Sequence, residues 1–349
     1  MTMKGNTPAN PAHTMISLIG QSKSLLVMCH NNPDPDTIAS AAALKSICAQ
    51  ALHCKATIGY DGIVGRAENR EFVRRLKIDM VHVNNLDFND FSVLALVDSQ
   101  PRTGNNAIPR KISPSIVIDH HPLRKETARC HFFDVRPHYG SSSTILTEYL
   151  RELELDIDRK LATALFYGLK TDTNGLSRSM MKADLDAFNF LFPKIAPRTF
   201  AAIENPSVPK SYYLKFADAI DSSVQYGDVI ISYMGNLTNP DIASEMADFL
   251  LRMENIRWTL CLGEFKDNLI LSVRTSRRDW IAGKVAVRIL RGIGTGGGHE
   301  KAAGGKVLLT GMDPEERTRT AQKITERFLK IVGVENRTGK PLVAHHEQA

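Results

Sequence analysis

Two aspartates stand two residues apart in His30-Asn31-Asn32-Pro33-Asp34-Pro35-Asp36, with prolines interleaved. Proline fixes φ and removes a backbone donor, so this stretch is a stiff loop and not a helix. The apolar run Leu25-Leu26-Val27-Met28 before it reads as a buried strand, and a helical run begins after it at Thr37. His30, Asp34 and Asp36 therefore fall at a strand end, a loop and a helix start, where ligands collect in open α/β sheets. The same context recurs twice. Val93-Leu94-Ala95-Leu96-Val97 delivers Asp98, and Ser115-Ile116-Val117-Ile118 delivers Asp119-His120-His121. Taken singly, each has a plain structural reading: Asp34 as a helix cap or turn residue, Asp98 as a loop residue, His120 and His121 as a surface pair. Taken together, three strand ends that finish in Asp or His point to one shared site for a hard divalent cation such as Mn²⁺ or Mg²⁺. The thiolates of a structural zinc site are absent.

Asp172 follows a run with helical apolar spacing, 161–169. A carboxylate near a helix C-terminus is disfavoured by the dipole, and a cation nearby would offset this. The residues alone read Asp172 as a helix-ending aspartate before the Asn174-Gly175 turn.

The densest glycine run is Gly292-Ile293-Gly294-Thr295-Gly296-Gly297-Gly298-His299. Gly292, Gly294 and Gly297 match G-x-G-x-x-G, but that fingerprint must follow a strand and open a helix, and here the preceding segment looks helical. A dinucleotide cofactor is rejected on that ground. Small residues let backbone N–H groups approach an anion, so Gly296, Gly297 and Gly298 read as a loop cradling a phosphate or terminal hydroxyl, with His299 as a donor beside it. The segment 274–301 carries seven Arg or Lys against two acidic residues; much of this excess is a solvated helix face. Ser141-Ser142-Ser143-Thr144 opens a helix, where hydroxyls and free N–H groups favour an anion; simple capping by one serine fits as well. Arg102, four residues after Asp98, either reaches a substrate phosphate or lies in solvent.

The elements that must position these residues follow from pattern. Strands are expected near 24–29, 53–59, 93–97, 115–118 and 131–134, and helices near 37–50, 66–77, 142–152, 159–170 and 182–192. This alternation implies an α/β fold: a mostly parallel sheet with helices on both faces. A second, smaller α/β unit should hold strands at 228–234, 257–264 and 268–274 and helices at 240–252, 281–291 and 314–331. The expected organisation is a disordered lead-in over 1–14, a catalytic domain over 15–195, a linker over 196–224, a substrate-binding domain over 225–332 and a tail over 333–349. The chain has 349 residues, a net charge of +6 and a sequence pI of about 9.0. That charge suits a nucleotide ligand and does not by itself imply long nucleic acid. No apolar stretch is long enough to span a bilayer. Five scattered cysteines without CxxC spacing fit a reducing cytoplasm.

The five segments around His30–Asp36, Asp98, Asp119-His120-His121, Asp172 and Gly296–His299, in that order, resemble the DHH phosphoesterases. More closely, they resemble the branch with a DHH-associated C-terminal domain: oligoribonuclease/pAp-phosphatases, cyclic-dinucleotide phosphodiesterases and the RecJ core. The resemblance covers roughly residues 20 to 330. It implies two divalent cations, Mn²⁺ first, with Mg²⁺ or Co²⁺ as substitutes. It implies that His30 and Asp34 hold one cation, that Asp36, His120 and Asp172 hold the other, and that Asp98 bridges them. His121 would meet the transferring phosphoryl group, and Asp119 would orient His120 or the loop. Arg274, at a strand end, would be a substrate arginine, and the site would lie in the cleft between the domains. The implied activity is hydrolysis of short nucleotides: linear dinucleotides such as pGpG or pApA, short oligoribonucleotides, cyclic dinucleotides or pAp. Long duplex nucleic acid and membranes are not expected partners; a homodimer is. A pyrophosphatase or exopolyphosphatase shares the core chemistry, and a non-catalytic nucleotide sensor is the alternative from another class.

Overall fold

The β-branched and leucine-rich runs of the first 206 residues form six short strands, and the chain between them sets which residues reach the strand ends. The computed structural model describes residues 10–20, 22, 24–177, 181–336 and 338–343. It divides between Pro206 and Ser207 into two compact units.

In chain order the first unit contains α1 (Pro11–Ile19), β1 (Ser24–Met28), α2 (Pro35–Leu52), β2 (Lys55–Tyr60), α3 (Ala67–Leu76), β3 (Met80–His82), β4 (Val93–Val97), β5 (Ile116–Asp119), β6 (Phe132–Val135), α4 (Ser142–Glu152), α5 (Arg159–Asp172), α6 (Lys182–Leu191) and α7 (Pro197–Glu204). The sheet order is β3-β2-β1-β4-β5-β6, and every pairing in it is parallel. The chain builds outward from β1 to β3, then returns to place β4 on the other side of β1. The order therefore reverses between β1 and β4, and crevices form at such a point.

Side chains alternate along each strand. Leu25 and Val27 of β1, with Val93, Ala95 and Val97 of β4, join a core built with α1 to α7. Leu26, Met28, Leu94, Leu96 and Val117 face the other way. There they meet Leu86, Ala107, Ile108, Ile112 and Leu123, which lie in non-helical connections. The α/β class and the parallel sheet flanked by helices are as expected. Among the described residues the α-helices of this unit pack on one face, and short turns and a 3-10 helix at Phe88–Asp90 cover the other, where the β4–β5 and β5–β6 connections carry Pro101, Pro109, Pro114 and Pro122, which break α-helices. The expected lead-in differs: α1 begins at Pro11, and Ala12 and Met15 are fully buried.

The second unit contains α8 (Lys210–Asp221), β7 (Ser223–Tyr226), β8 (Val229–Asn236), α9 (Asp241–Leu250), β9 (Trp258–Phe265), β10 (Asn268–Thr275), α10 (Ala282–Leu290), β11 (Thr295–Gly298), β12 (Ala302–Leu308), α11 (Pro314–Val332) and β13 (Lys340–Pro341). Its mixed sheet runs β11-β12-β10-β9-β8-β7-β13. Helices α10 and α11 cover one face around Trp258 and Phe328, and α8 and α9 cover the other around Ile230 and Met246. No helix among the described residues is long and apolar enough to cross a membrane. All five cysteines are unbridged.

Candidate metal centre

At the end of β1, the His30 Nδ1 lies 3.0 Å from the Asn31 carbonyl oxygen. Its Nε2 lies 3.5 Å from Asp34 Oδ1 and 3.6 Å from Asp98 Oδ2. Asp34 caps α2, its Oδ1 accepting from the Thr37 N–H at 3.0 Å, so the capping and ligand readings of this residue are compatible. Asp36, in the first turn of α2, is wholly buried. Its two oxygens accept from the Ser142 and Ser143 N–H groups at 2.7 and 2.8 Å. The start of α4 thus holds an anion, as helix N-termini do, but the anion is this protein's own carboxylate. Ser142 is itself fully buried and donates its hydroxyl to Asp98 Oδ1 at 3.0 Å. It therefore places two carboxylates, which corrects its reading as a substrate contact.

Asp98 ends β4 in a left-handed conformation, φ 54°, which Asp tolerates better than most residues. The conformation turns one carboxylate oxygen toward His30 and the other toward His120, whose Nε2 is 3.3 Å from Asp98 Oδ1. The His120 Nε2 also lies 3.1 Å from Asp172 Oδ2, and its Nδ1 lies 3.1 Å from the Tyr139 carbonyl. Asp172 is the last residue of α5. Asp119 is buried; its Oδ1 accepts from the His121 Nδ1 at 2.7 Å and from the His120 N–H at 2.9 Å. It thus orients the ring of His121 and the backbone, while Tyr139 orients the ring of His120.

Three sets of groups have ligand atoms within 4.8 Å of one another: His30, Asp34 and Asp98; Asp36, His120 and Asp172; Asp98, His120 and His121. These residues fit divalent cations for a specific reason. A carbonyl oxygen only accepts, so His30 and His120 each keep a proton on Nδ1, which leaves each Nε2, facing carboxylates, to take either a second proton or a metal ion. The His120 Nε2 is buried and makes no hydrogen bond of good geometry. A ring nitrogen facing carboxylates calls for positive charge between them, a proton or a metal ion, and the backbone carbonyls are the outer partners that metal-bound histidines use.

Without a cation the cluster must hold extra protons. Burial opposes charge on His30, but Asp34 and then Asp98 push its pKa to about 10. Burial likewise opposes charge on His120, and Asp172 and Asp98 overrule it, raising its pKa well above the usual histidine range. Burial raises the Asp36 carboxyl well above the usual range, with Asp98 and Asp172 adding to it. Burial also raises Asp172, with Asp34 and Asp98 reinforcing the shift against His120. Cations binding here would displace protons.

The remaining candidates lie elsewhere. Arg102 is exposed on the loop that follows Asp98, at φ 60°. Arg274, on β10, donates through Nε to Asp248 Oδ1 at 2.5 Å and through Nη1 to Ser272 Oγ at 2.7 Å. Gly296, Gly297 and Gly298 are strand residues of β11, paired with Gly305, Gly304 and Ala303 of β12; the expected loop is half of a hairpin. Gly296 is needed because α10 packs directly on that hairpin, and Gly298 because its partner strand lies too close for a side chain. A Cβ on Gly296 would meet Leu290, and one on Gly298, at φ 148°, would meet the Ala302 carbonyl. Gly297 faces open space, and His299 is exposed at the hairpin turn. Missed from the sequence were Tyr139, through its carbonyl, and Gln100, which donates to Asp119 Oδ2 at 2.6 Å. Neither follows a periodicity, and Gln100 sits between Ser99 and Pro101 like any loop residue.

A parallel sheet whose switch point carries a carboxylate–histidine cluster, followed by a separate mixed α/β unit, defines a two-unit phosphoesterase architecture. Residues 24–169 match the DHH family N-terminal domain and residues 227–330 match the DHHA1 domain; the chain belongs to the DHH family of phosphoesterases. It is 34% identical over 317 residues to an uncharacterized protein of Methanocaldococcus jannaschii, across 89% of this chain and 64% of that protein. It is 25% identical over 308 residues to the cyclic-di-AMP phosphodiesterase GdpP of Bacillus subtilis, across 82% of this chain and 45% of that protein. The chain thus spans about two-thirds or less of the length of these relatives. In fold it is similar to an exopolyphosphatase-related protein from Bacteroides fragilis, with a TM-score of 0.73 at 16% identity, covering 92% of this chain and 96% of the other.

Proposed function

We propose that this protein is a divalent-cation-dependent phosphodiesterase that hydrolyses short nucleotides, linear or cyclic, to mononucleotides. The observation that carries the reading is Asp98: its two carboxylate oxygens face two separate ligand groups, an arrangement that suits a carboxylate shared by two cations. Similarity to a cyclic-di-AMP phosphodiesterase over 82% of the chain supports the substrate class.

His30 and Asp34 hold one cation, and Asp36, His120 and Asp172 the other, with Asp98 serving both. A pair of such cations supplies an activated water and neutralises charge at phosphorus. The mixed imidazole and carboxylate donors favour Mn²⁺, with Mg²⁺ or Co²⁺ as substitutes. His121 has its Nδ1–H fixed on Asp119; burial opposes charge on its ring, but Asp119 and Asp98 raise its pKa, and the protonated ring would donate from Nε2 to a phosphoryl oxygen. The N-terminal end of α4 keeps Asp36 in place, so that none of its charge is spent reorienting when substrate arrives. Arg274 and the hairpin of Gly296, Gly297, Gly298 and His299 hold the nucleotide, with Arg102 as a further phosphate contact. Five unbridged cysteines suit a reducing cytoplasm, and a homodimer is the proposed assembly.

A second reading, exopolyphosphatase or pyrophosphatase, draws on the fold likeness to an exopolyphosphatase-related protein. The test is hydrolysis by the Mn²⁺-loaded protein across pGpG, pApA, longer oligoribonucleotides, cyclic di-AMP, cyclic di-GMP, pAp, pyrophosphate and polyphosphate. Mononucleotide release from dinucleotides is the expected result. Turnover of pyrophosphate or polyphosphate alone would move the protein to the second reading. Nucleotide binding without any hydrolysis would make it a sensor.

A further inference from the structure

One buried polar side chain beside the metal centre belongs to neither ligand group. Gln100 is 1% exposed and uses its whole amide. Its Nε2 donates to Asp119 Oδ2 at 2.6 Å and reaches the carbonyls of His121 and Pro122 at 3.4 and 3.2 Å. Its Oε1 accepts from the Arg124 N–H at 2.8 Å and from the Thr127 hydroxyl at 2.7 Å. The partners fix which end is which. A backbone N–H can only donate and a carboxylate without its proton can only accept, so the amide cannot be turned over.

We infer that Gln100 is a positioning residue for the reaction, acting through Asp119 on His121. This deepens the proposed function and rests on it. The amide has two separable halves. The Oε1 half ties down the 124–127 turn and is structural. The Nε2 half meets the one Asp119 oxygen that the histidine loop leaves over; the other oxygen holds the His121 Nδ1 and the His120 N–H. With both oxygens committed, the Asp119 carboxylate cannot rotate, and the His121 ring is held in one tautomer with one orientation. A carboxylate with one anchored oxygen would pivot about its Cβ–Cγ bond and carry the ring with it. Rigid outer partners of this kind commonly change activity by about ten- to a hundredfold when removed.

The test compares two variants. Gln100→Met fills the space and removes both halves; Thr127→Val, at a buried hydroxyl, weakens only the structural half. The readouts are melting temperature, kcat and KM for a dinucleotide, and the downfield imidazole N–H proton resonance of His121 in the metal-free protein, assigned by its loss in His121→Gln. We expect Gln100→Met to lower kcat by roughly ten- to a hundredfold with KM within about twofold, and to broaden or shift the His121 resonance. Thr127→Val should lower the melting temperature while leaving kcat and the resonance unchanged. A Gln100→Met protein that keeps the wild-type resonance and kcat would overturn the inference. So would a Thr127→Val protein, matched to Gln100→Met in melting temperature, that loses kcat equally. The resonance decides the question even if wild type turns over no nucleotide, an outcome that would remove the proposed substrate class and leave the positioning role to be judged on the N–H signal.

Discussion

The shared role of Asp98 can be tested by Asp98→Asn. Asparagine tolerates the left-handed backbone at this position (φ 54°) and can still accept the Ser142 hydroxyl. The charge goes, and one of the two oxygens becomes an amide nitrogen that cannot bind a cation. In the metal-free protein two effects oppose one another: Asp98 loses its attraction to His30 and His120, and it stops repelling Asp36 and Asp172. We expect these to cancel to within about 1 kcal/mol, since the cluster holds both signs of charge. With metal the balance changes. At a concentration about 100-fold above Kd, each cation stabilises the native state by ~2.7 kcal/mol, so two independent cations contribute ~5 kcal/mol. Loss of a carboxylate shared by both should weaken each by about a hundredfold or more, leaving ~0.4 kcal/mol per cation. At roughly 2–4 °C per kcal/mol for a unit of this size, the Mn²⁺-induced rise in melting temperature should drop from about 10–20 °C to about 2–3 °C. Asp34→Asn touches one group only and should keep about half of the rise. Turnover in Asp98→Asn should fall by at least roughly a thousandfold, ~4 kcal/mol of barrier. The assay is differential scanning calorimetry of the first transition in EDTA and in excess Mn²⁺, with dinucleotide hydrolysis alongside. Equal residual shifts in Asp98→Asn and Asp34→Asn would refute the shared role, because the argument gives Asp98 two groups and Asp34 one.

Further expectations concern pH, the hidden serine, the glycine hairpin and the arginine. In the metal-free protein the folded-state pKa of His30, about 10, is raised above its ordinary value of 6.5. Its contribution to stability is then fully present below about pH 6.5 and lost as pH rises toward 10, while Mn²⁺ binding should tighten over the lower part of that range as protons leave; melting curves with EDTA and with Mn²⁺ at several pH values should diverge as pH rises. Ser142→Ala removes a buried hydrogen bond to Asp98 and should cost about 1 kcal/mol, with kcat lowered several-fold and KM unchanged in steady-state kinetics. Gly283→Ala would drive a methyl group onto the Gly298 carbonyl; it should destabilise the second unit by roughly 2 kcal/mol or more, raise KM and leave the Mn²⁺ titration unaltered. Arg274→Met should raise KM for dinucleotides about tenfold or more with little change in Mn²⁺ affinity, by analogy with other charge-assisted phosphate contacts.

Much of the candidate centre's clustering was legible because strand-end chemistry is local. Each of His30, Asp98 and Asp119 follows directly on an apolar run, and such runs in an alternating α/β chain become parallel strands with aligned ends. Asp172 was legible only through family resemblance, since a carboxylate ending a helix looks ordinary until α5 is seen to end at His120. Ser142 was misread because a helix N-terminus advertises an anion without saying which one, and Asp36, more than a hundred residues away in sequence, supplies it. Gly296 to Gly298 looked like a loop because strand propensity is carried by side chains, which glycine lacks; the pairing to β12 and the close approach of α10 exist only in three dimensions.

The ligand groups draw on residue 30 near the start of the first unit and residue 172 near its end, and they meet only when β1, β4, β5 and α5 are all in register. Each of the three ligand groups therefore needs at least one contact between residues far apart in sequence, and such contacts are slow to form. A chain emerging from the ribosome has no half-site worth occupying: His30 and Asp34 come out early, but Asp98 and the strand that carries it must follow before either can hold a cation. Metal capture should thus coincide with completion of the first unit, which spares the nascent chain premature coordination and makes the cation a seal on a finished fold rather than a nucleus for it.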